Sequence, residues 1–192
     1  MSTLLNELQR DALQELMNIS MGQAANALAR LIDAKITLSI PKIVMVSATE
    51  FQQIFLTDHY WLTRQSFLGS VKGEALTLLA RAGTETIGGL MDYQLPLDER
   101  SRKELLLELA NILAGACLNG FSTQLALHTK LSMPTMFNPE TRQAESFRWS
   151  STLLLEVEFQ LEGTAFDSRI VICLEGESVQ VLMGKLNELL ED

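Results

Sequence analysis

A chain of 192 residues fits one domain or two small ones, and 47% hydrophobic residues are enough for a substantial core. Charged residues make up 20%, which is not the composition of a disordered chain. A formal net charge of −9 and a pI near 4.8 disfavour a nucleic-acid binder, which needs a basic face, and disfavour an anionic lipid surface.

The N-terminal MSTLLNELQRDALQ lacks a basic region followed by an apolar core, so it does not read as a signal peptide. No run approaches 18 apolar residues without polar or charged breaks; no membrane span is expected, and a cytoplasmic location is the default expectation. Residues 4–33 set Leu13, Leu16, Ala24, Ala27, Leu28 and Leu31 at helical spacing. ITLSIPKIVMVS reads as strand, with Pro41 at a bend or edge. HYWLTRQSFLG and GEALTLLA read as two further strands, and a short helix is predicted at 84–92. LDERSRKELLLELANIL opens a second long helix. KLSMPTMF, WSSTLLLEVEFQL and FDSRIVICL repeat the strands, and 176–190 is the last helix. Cys117 and Cys173 lie in apolar runs and read as buried free thiols of a reducing compartment rather than a disulfide framework. His59 and His128 have no partner pattern, and no Cys/His cluster suggests a metal site.

The chain repeats itself. DALQELMNISMGQAANALA at 11–29 resembles ELLLELANILAGACLNGFS at 104–122, with an offset of 93 residues. Glu15 maps onto Glu108, Asn18 onto Asn111, Gly22 onto Gly115 and Asn26 onto Asn119. The same offset carries Pro41 onto Pro134 and Gly83 onto Gly176. No Gly/Ser-rich linker separates the copies, so they are expected to share one sheet and one core. The expected architecture is a two-layer α/β (α+β) domain over 1–192, made of two pseudo-symmetric repeats at about 1–95 and 96–192. A continuous, mostly antiparallel sheet would carry the two long helices.

At 100° per residue, positions i, i+4 and i+7 share a sector of roughly 60°. Asp11, Glu15 and Asn18 occupy such a sector, as do Glu104, Glu108 and Asn111, opposite the apolar stripe. The stripe of the second copy is broken at Gln124. Gly22 and Gly115 fall in the same sectors as the polar trios. Glycine inside a helix costs about 1 kcal/mol against alanine, so its recurrence predicts close approach by another backbone or helix. Either trio alone would read as a solvated acidic face, and either asparagine as a tolerated surface residue. Glu-x-x-Asn twice in register argues for a function.

These residues resemble the CheC family of chemotaxis phosphatases, relatives of CheX and FliY. The family pattern is Asp or Ser, three residues, Glu, two residues, Asn, 22 residues, Pro. Asp11, Glu15, Asn18 and Pro41 fit it, with 19–40 as the spacer; Glu108, Asn111 and Pro134 fit again, with 112–133 between. Glu104 departs from the usual Asp or Ser, which ranks the first site as the better one and predicts Asn18→Ala as the more damaging single change. Two copies match CheC better than the one-site CheX, and there is no room for the extra switch domain of FliY.

The resemblance implies a phosphatase for the aspartyl phosphate of a CheY-like receiver. Glu15 and Glu108 would pair with the receiver's active-site lysine, and Asn18 and Asn111 would orient the attacking water. Asp11, Glu104, Gly22, Gly115, Pro41 and Pro134 would belong to the partner-binding surface. The chain would need no cofactor of its own, since the receiver holds Mg²⁺. Two alternatives share that surface: a non-catalytic receiver-binding adaptor, and a regulator of a CheD-like deamidase. A carboxylate-pair hydrolase fits poorly, because Asp11 and Glu15 sit one turn apart on one helix rather than across a cleft.

Overall fold

A computed structural model describes residues 5–47, 49–50, 53, 58–138, 151–174 and 176–191. The first helix, α1, spans Glu7–Ile32. A capping box starts it: Gln9 N donates to Asn6 Oδ1 at 2.8 Å, and Asn6 N donates to Gln9 Oε1 at 3.0 Å. Two of the helix's orphan amides are thereby satisfied. Asp33, left-handed at φ 48°, ends it. Its buried stripe includes Leu13, Leu16, Met17, Met21, Ala24, Leu28 and Ile32. Leu31, expected in that stripe, is 48% exposed; the stripe advances by four residues from Leu28 and buries Ile32 instead.

The remaining elements are β1 (Ile36–Leu38), β2 (Lys42–Ser47), β3 (Tyr60–Gly69), β4 (Gly73–Ala80), α2 (Thr84–Leu90), α3 (Glu99–Gln124), β5 (Thr129–Leu131), β6 (Thr135–Met136), β7 (Ser151–Leu161), β8 (Asp167–Leu174) and α4 (Gly176–Glu191). Pro41 falls in the break between β1 and β2, and Pro134 in the break between β5 and β6. Trp149 and Ser150, in the strand expected from WSSTLLLEVEFQL, lie outside the described residues.

The strands form one antiparallel sheet of order β1-β7-β8-β4-β3-β5, with β2 also on β7 and β6 also on β3. β4 is buried along its whole length as a central strand of mostly apolar and small residues, with its one carboxylate, Glu74, paired to Arg64. The short strands after each long helix cross over: β1 and β2 pair with β7, whereas β5 and β6 pair with β3. Lys42 opposes Glu156 and Thr135 opposes Arg64; Leu38 opposes Phe159 and Leu131 opposes Phe67. Lys42 and Thr135 are repeat mates, as are Leu38 and Leu131. Arg64 is therefore the register equivalent of Glu156, Phe67 of Phe159, and Gln65 of Val157.

The two faces of the sheet differ. Phe67, Leu79, Leu155, Val157 and Ile172 join the long helices in the main core. Leu62, Leu76, Leu78, Leu154, Val171 and Cys173 form a second cluster on the other face. Beside it Arg64 pairs with Glu74, and Arg169 pairs with Glu156 at 3.7 Å. These two ion pairs occupy equivalent places with their charges exchanged.

α1 and α3 pack on each other. A Cβ on Gly120 would stand 2.5 Å from Gln23 Oε1 and 3.1 Å from Ser20 Cα. Gln124, which breaks the apolar stripe, spans the interface: its Nε2 donates to Ser20 Oγ at 2.8 Å and Leu16 O at 3.1 Å. The expected close helix contact therefore exists, but at Gly120. Nothing lies within 4 Å of a Cβ built on Gly22 or Gly115, so among the described residues no other helix of the chain approaches them there. An 18-residue window of α3 is apolar enough to cross a membrane by length and composition alone. That window is 61% buried inside the protein, the environment of a core helix.

Candidate functional site

Asp11, Glu15 and Asn18 are all exposed on α1, and Glu104, Glu108 and Asn111 are all exposed on α3. Leu13, Leu16, Leu106 and Leu109 on the opposite sides are buried, so the inward stripe turns each polar trio outward. Gly22 and Gly115 continue the two faces as low ground, with nothing beyond their own stretch of helix within 4 Å of where a Cβ would stand. Asn26 and Asn119 are exposed one turn further on. Asn119 and Gly115 also line a cleft of about 520 Å³ with Ser122, His128 and Thr129.

The bends bearing the two prolines lie against the long helices, held by different bonds. At the first, Gln14 Nε2 donates to Pro41 O at 3.0 Å and Arg10 Nη1 to Ile43 O at 3.3 Å. At the second, Gln65 Nε2 donates to Ser132 O at 3.2 Å and to Asn111 Oδ1 at 3.1 Å. Each bend exposes one large apolar residue just before its proline: Ile40, 75% exposed, and Met133, 85% exposed. Pro41 itself is buried and Pro134 half-buried, so the prolines shape the bend and their neighbours project from it.

The glutamates are furnished unequally. Glu108 Oε2 accepts from the Tyr93 hydroxyl at 2.7 Å. Burial, then this bond and the negative charge of Glu108, push the Tyr93 phenol up to about 12. The bond fixes one carboxylate oxygen and leaves Oε1 for a partner. Glu104 is engaged by Arg100 one turn before it, Nε to Oε1 at 3.0 Å, an exposed pair of small energetic weight. Neither Glu15 nor Asn18 has a side-chain hydrogen bond among the described residues.

Cys117 and Cys173 are fully buried and unpaired, and burial pushes both thiols up, so they are not nucleophiles in this state. Among the described residues no three His, Cys, Asp or Glu side chains come together as metal ligands. Sequence reasoning missed Gln65, Tyr93, Ile40 and Met133. The repeat offset pairs Ile40 with Met133, a signal that was available. Gln65 and Tyr93 have no such mates and could be found only in three dimensions.

What the arrangement offers is two separate carboxylate–carboxamide pairs, each on an exposed helix face near a projecting apolar residue. Such a surface suits another protein better than a small molecule. Comparison with known proteins agrees in kind. Residues 8–45 match the model of the CheC-like family. The flagellar motor switch phosphatase FliY of Bacillus subtilis (strain 168) is 26% identical over 87 residues, covering 45% of this chain and 23% of that protein. The chain thus spans less than a quarter of that relative's length. FliY of Thermotoga maritima superposes with a TM-score of 0.75 at 16% identity, covering 97% of this chain and 99% of that one. CheX of Desulfovibrio desulfuricans gives 0.58 at 12% identity (84% and 99% covered). The FliM middle domain of H. pylori gives 0.67 at 7% (94% and 99% covered), and at such identities the likeness is one of fold. The chain is thus similar to the CheC-like family in sequence through residues 8–45, and to FliY of Thermotoga maritima in fold along nearly its whole length.

Proposed function

We propose that the chain is a protein phosphatase that hydrolyses the aspartyl phosphate of a CheY-like receiver domain. The observation that carries the reading is the pair of Glu-x-x-Asn faces, in register at an offset of 93 residues and both turned outward on helices that share one core. The FliY relative of Bacillus subtilis is named a phosphatase, which supports the same reading.

An aspartyl phosphate is an activated acyl phosphate. Its transfer passes through a loose transition state, so catalysis is mostly positioning and charge neutralisation. The receiver supplies Mg²⁺ and its own phosphate-binding groups; a water held in line is what remains to be added. An asparagine carboxamide donates and accepts hydrogen bonds without carrying charge, which suits it to hold that water. Holding a reactant in place can contribute several kcal/mol, about 7 to 11 at the upper end. Glu15 and Glu108 would bind the receiver lysine and set the register of docking, with Asp11 and Glu104 adding negative charge one turn away. Ile40 and Met133 would bury apolar area against the receiver, at roughly 25 cal/mol per Å² removed from water. Gly22 and Gly115 would let the receiver approach the helix backbone. A receiver partner would put the protein in the cytoplasm.

The test is loss of label from a phosphorylated receiver with this chain at a small fraction of the receiver concentration. A catalyst clears all the phosphate; an adaptor protects or binds it stoichiometrically. Asn18→Ala combined with Asn111→Ala is expected to abolish the acceleration and leave the fold intact, since both residues are exposed and alanine is the better helix former. A double variant as fast as the native chain removes the asparagines from the mechanism.

A further inference from the structure

Resting on the phosphatase reading of the Glu–Asn pairs, we infer that Gln65 is a positioning residue for Asn111, and that it makes the second pair the faster of the two.

Gln65 comes from β3, in the other half of the chain from Asn111. It is 1% exposed. Its Nε2 donates twice, to Ser132 O at 3.2 Å and to Asn111 Oδ1 at 3.1 Å. A backbone carbonyl can only accept, so Ser132 fixes which end of the Gln65 amide faces it. The same nitrogen then requires an acceptor from Asn111. The carboxamide of Asn111 is thereby held with Oδ1 inward and its Nδ2 donors outward, on a helix whose neighbouring Glu108 is held by Tyr93.

The other half has no such device. The register equivalent of Gln65 is Val157, buried at 1% in the main core. A valine offers Asn18 no hydrogen bond, and Asn18 has no other side-chain partner among the described residues. Gln65 is also costly to keep. Its Oε1 is buried without a hydrogen-bond partner among the described residues, which costs stability. An apolar residue, as in the first half, would serve the core better. A buried amide retained at a price in stability, with its donor aimed at an exposed functional side chain, has its account in the positioning of that side chain. The hydrogen bonds therefore reverse the ranking that Glu104 alone suggested.

The test uses the full chain carrying Asn18→Ala, so that the second pair alone is read. Gln65→Met keeps the buried volume and removes the donor, and Gln65→Val copies the first half should the methionine variant fold poorly. The first readout is ¹⁵N relaxation of the Asn111 side-chain amide, which needs no receiver. A rigid amide in the Asn18→Ala parent, becoming mobile in the variant, is the expected result. The second is steady-state dephosphorylation of a receiver: kcat is expected to fall about ten- to a hundredfold while KM stays within about twofold, because Glu108 and Tyr93 remain. An Asn111 amide equally rigid without the Gln65 donor overturns the inference. So does an unchanged kcat in a variant whose amide has become mobile. If the native chain dephosphorylates no receiver, the phosphatase reading falls, and the relaxation data alone still decide whether Gln65 holds Asn111.

Discussion

Asn18 and Asn111 occupy the same place in the repeat and differ in what surrounds them. The contacts of Gln65 predict that Asn111→Ala removes more of the dephosphorylation rate than Asn18→Ala; single-turnover decay with each variant measures it, and equal losses would contradict the asymmetry. On the proposed function, charge at the neighbouring position would set binding. Glu15→Lys with Glu108→Lys places a cation against the expected receiver lysine, and like-charge contact across an interface can cost several kcal/mol. Affinity for a beryllofluoride-loaded receiver should fall by at least about a hundredfold, and an unchanged Kd in the folded variant would remove the glutamates from the interface. Tyr93 supplies a test that needs no receiver. The chain has two tyrosines, and both phenols are pushed up to about 12, each chiefly by burial and then by a hydrogen bond to a carboxylate, Asp167 for Tyr60 and Glu108 for Tyr93. An unfolded tyrosine titrates near about 10. Raised folded pKa values mean a contribution to stability that is present below about pH 10 and is lost as pH rises through about 12. Ultraviolet titration of the native chain should show no phenol ionising near pH 10, and Tyr93→Phe should remove one of the two late transitions.

At the scale of the helices, the glycines divide into two kinds. Gly22 and Gly115 have open space where a Cβ would go, and alanine is favoured in a helix by about 1 kcal/mol. Gly22→Ala and Gly115→Ala are therefore expected to raise Tm by a few degrees. If a receiver backbone docks there, the same changes weaken receiver binding while the fold gains stability. Gly120 behaves otherwise: an added methyl would press on Ser20 Cα and Gln23 Oε1, so Gly120→Ala gains nothing or destabilises. Thermal melts of the three variants sort them, and a stabilised Gly120→Ala would show the α1–α3 contact to be looser than described. The polar trios were legible in the sequence because a helix repeats every 3.6 residues and the motif occurs twice in register. The role of Gly120 was not: its neighbour is Ser20 of the other helix, 100 positions away, and no local pattern marks it. Leu31 was misplaced for a simpler reason, since Leu28 is followed at the inward face by Ile32 and both candidates are apolar.

The whole molecule is one sheet shared by two copies of a motif, and the sharing is what the sequence hid. The spans of the strands were readable from apolar runs and the two proline breaks. Their partners were not, because β2 seeks β7 and β6 seeks β3, each in the other copy. Gln65 reaches Asn111 through that exchange, so one neighbour of Asn111 comes from the other half of the chain. We propose that residues 1–95 and 96–192 superpose as repeats yet cannot stand alone. Cut apart, the first piece would lose β7 from β1 and β2, and β8 from the flank of β4; the second would lose β3 from β5 and β6. Exposed strand edges and half a core favour association over a folded monomer. A homodimer of either piece could mimic the sheet, but the two chemistries of the native interface favour the mixed pair. Gln124 of α3 bonds Ser20 Oγ and Leu16 O of α1, and its repeat mate Leu31 could make neither bond in a dimer of the first piece. Gln65 likewise meets Asn111 only when both pieces are present. Mixing the two separately expressed pieces should therefore yield a 1:1 complex with native helix content and restored receiver dephosphorylation, whereas each alone is unfolded or self-associated. Light scattering with circular dichroism on each piece and on the mixture measures this. A piece that is monomeric, cooperatively folding and indifferent to its mate would show that each repeat carries a sufficient core of its own.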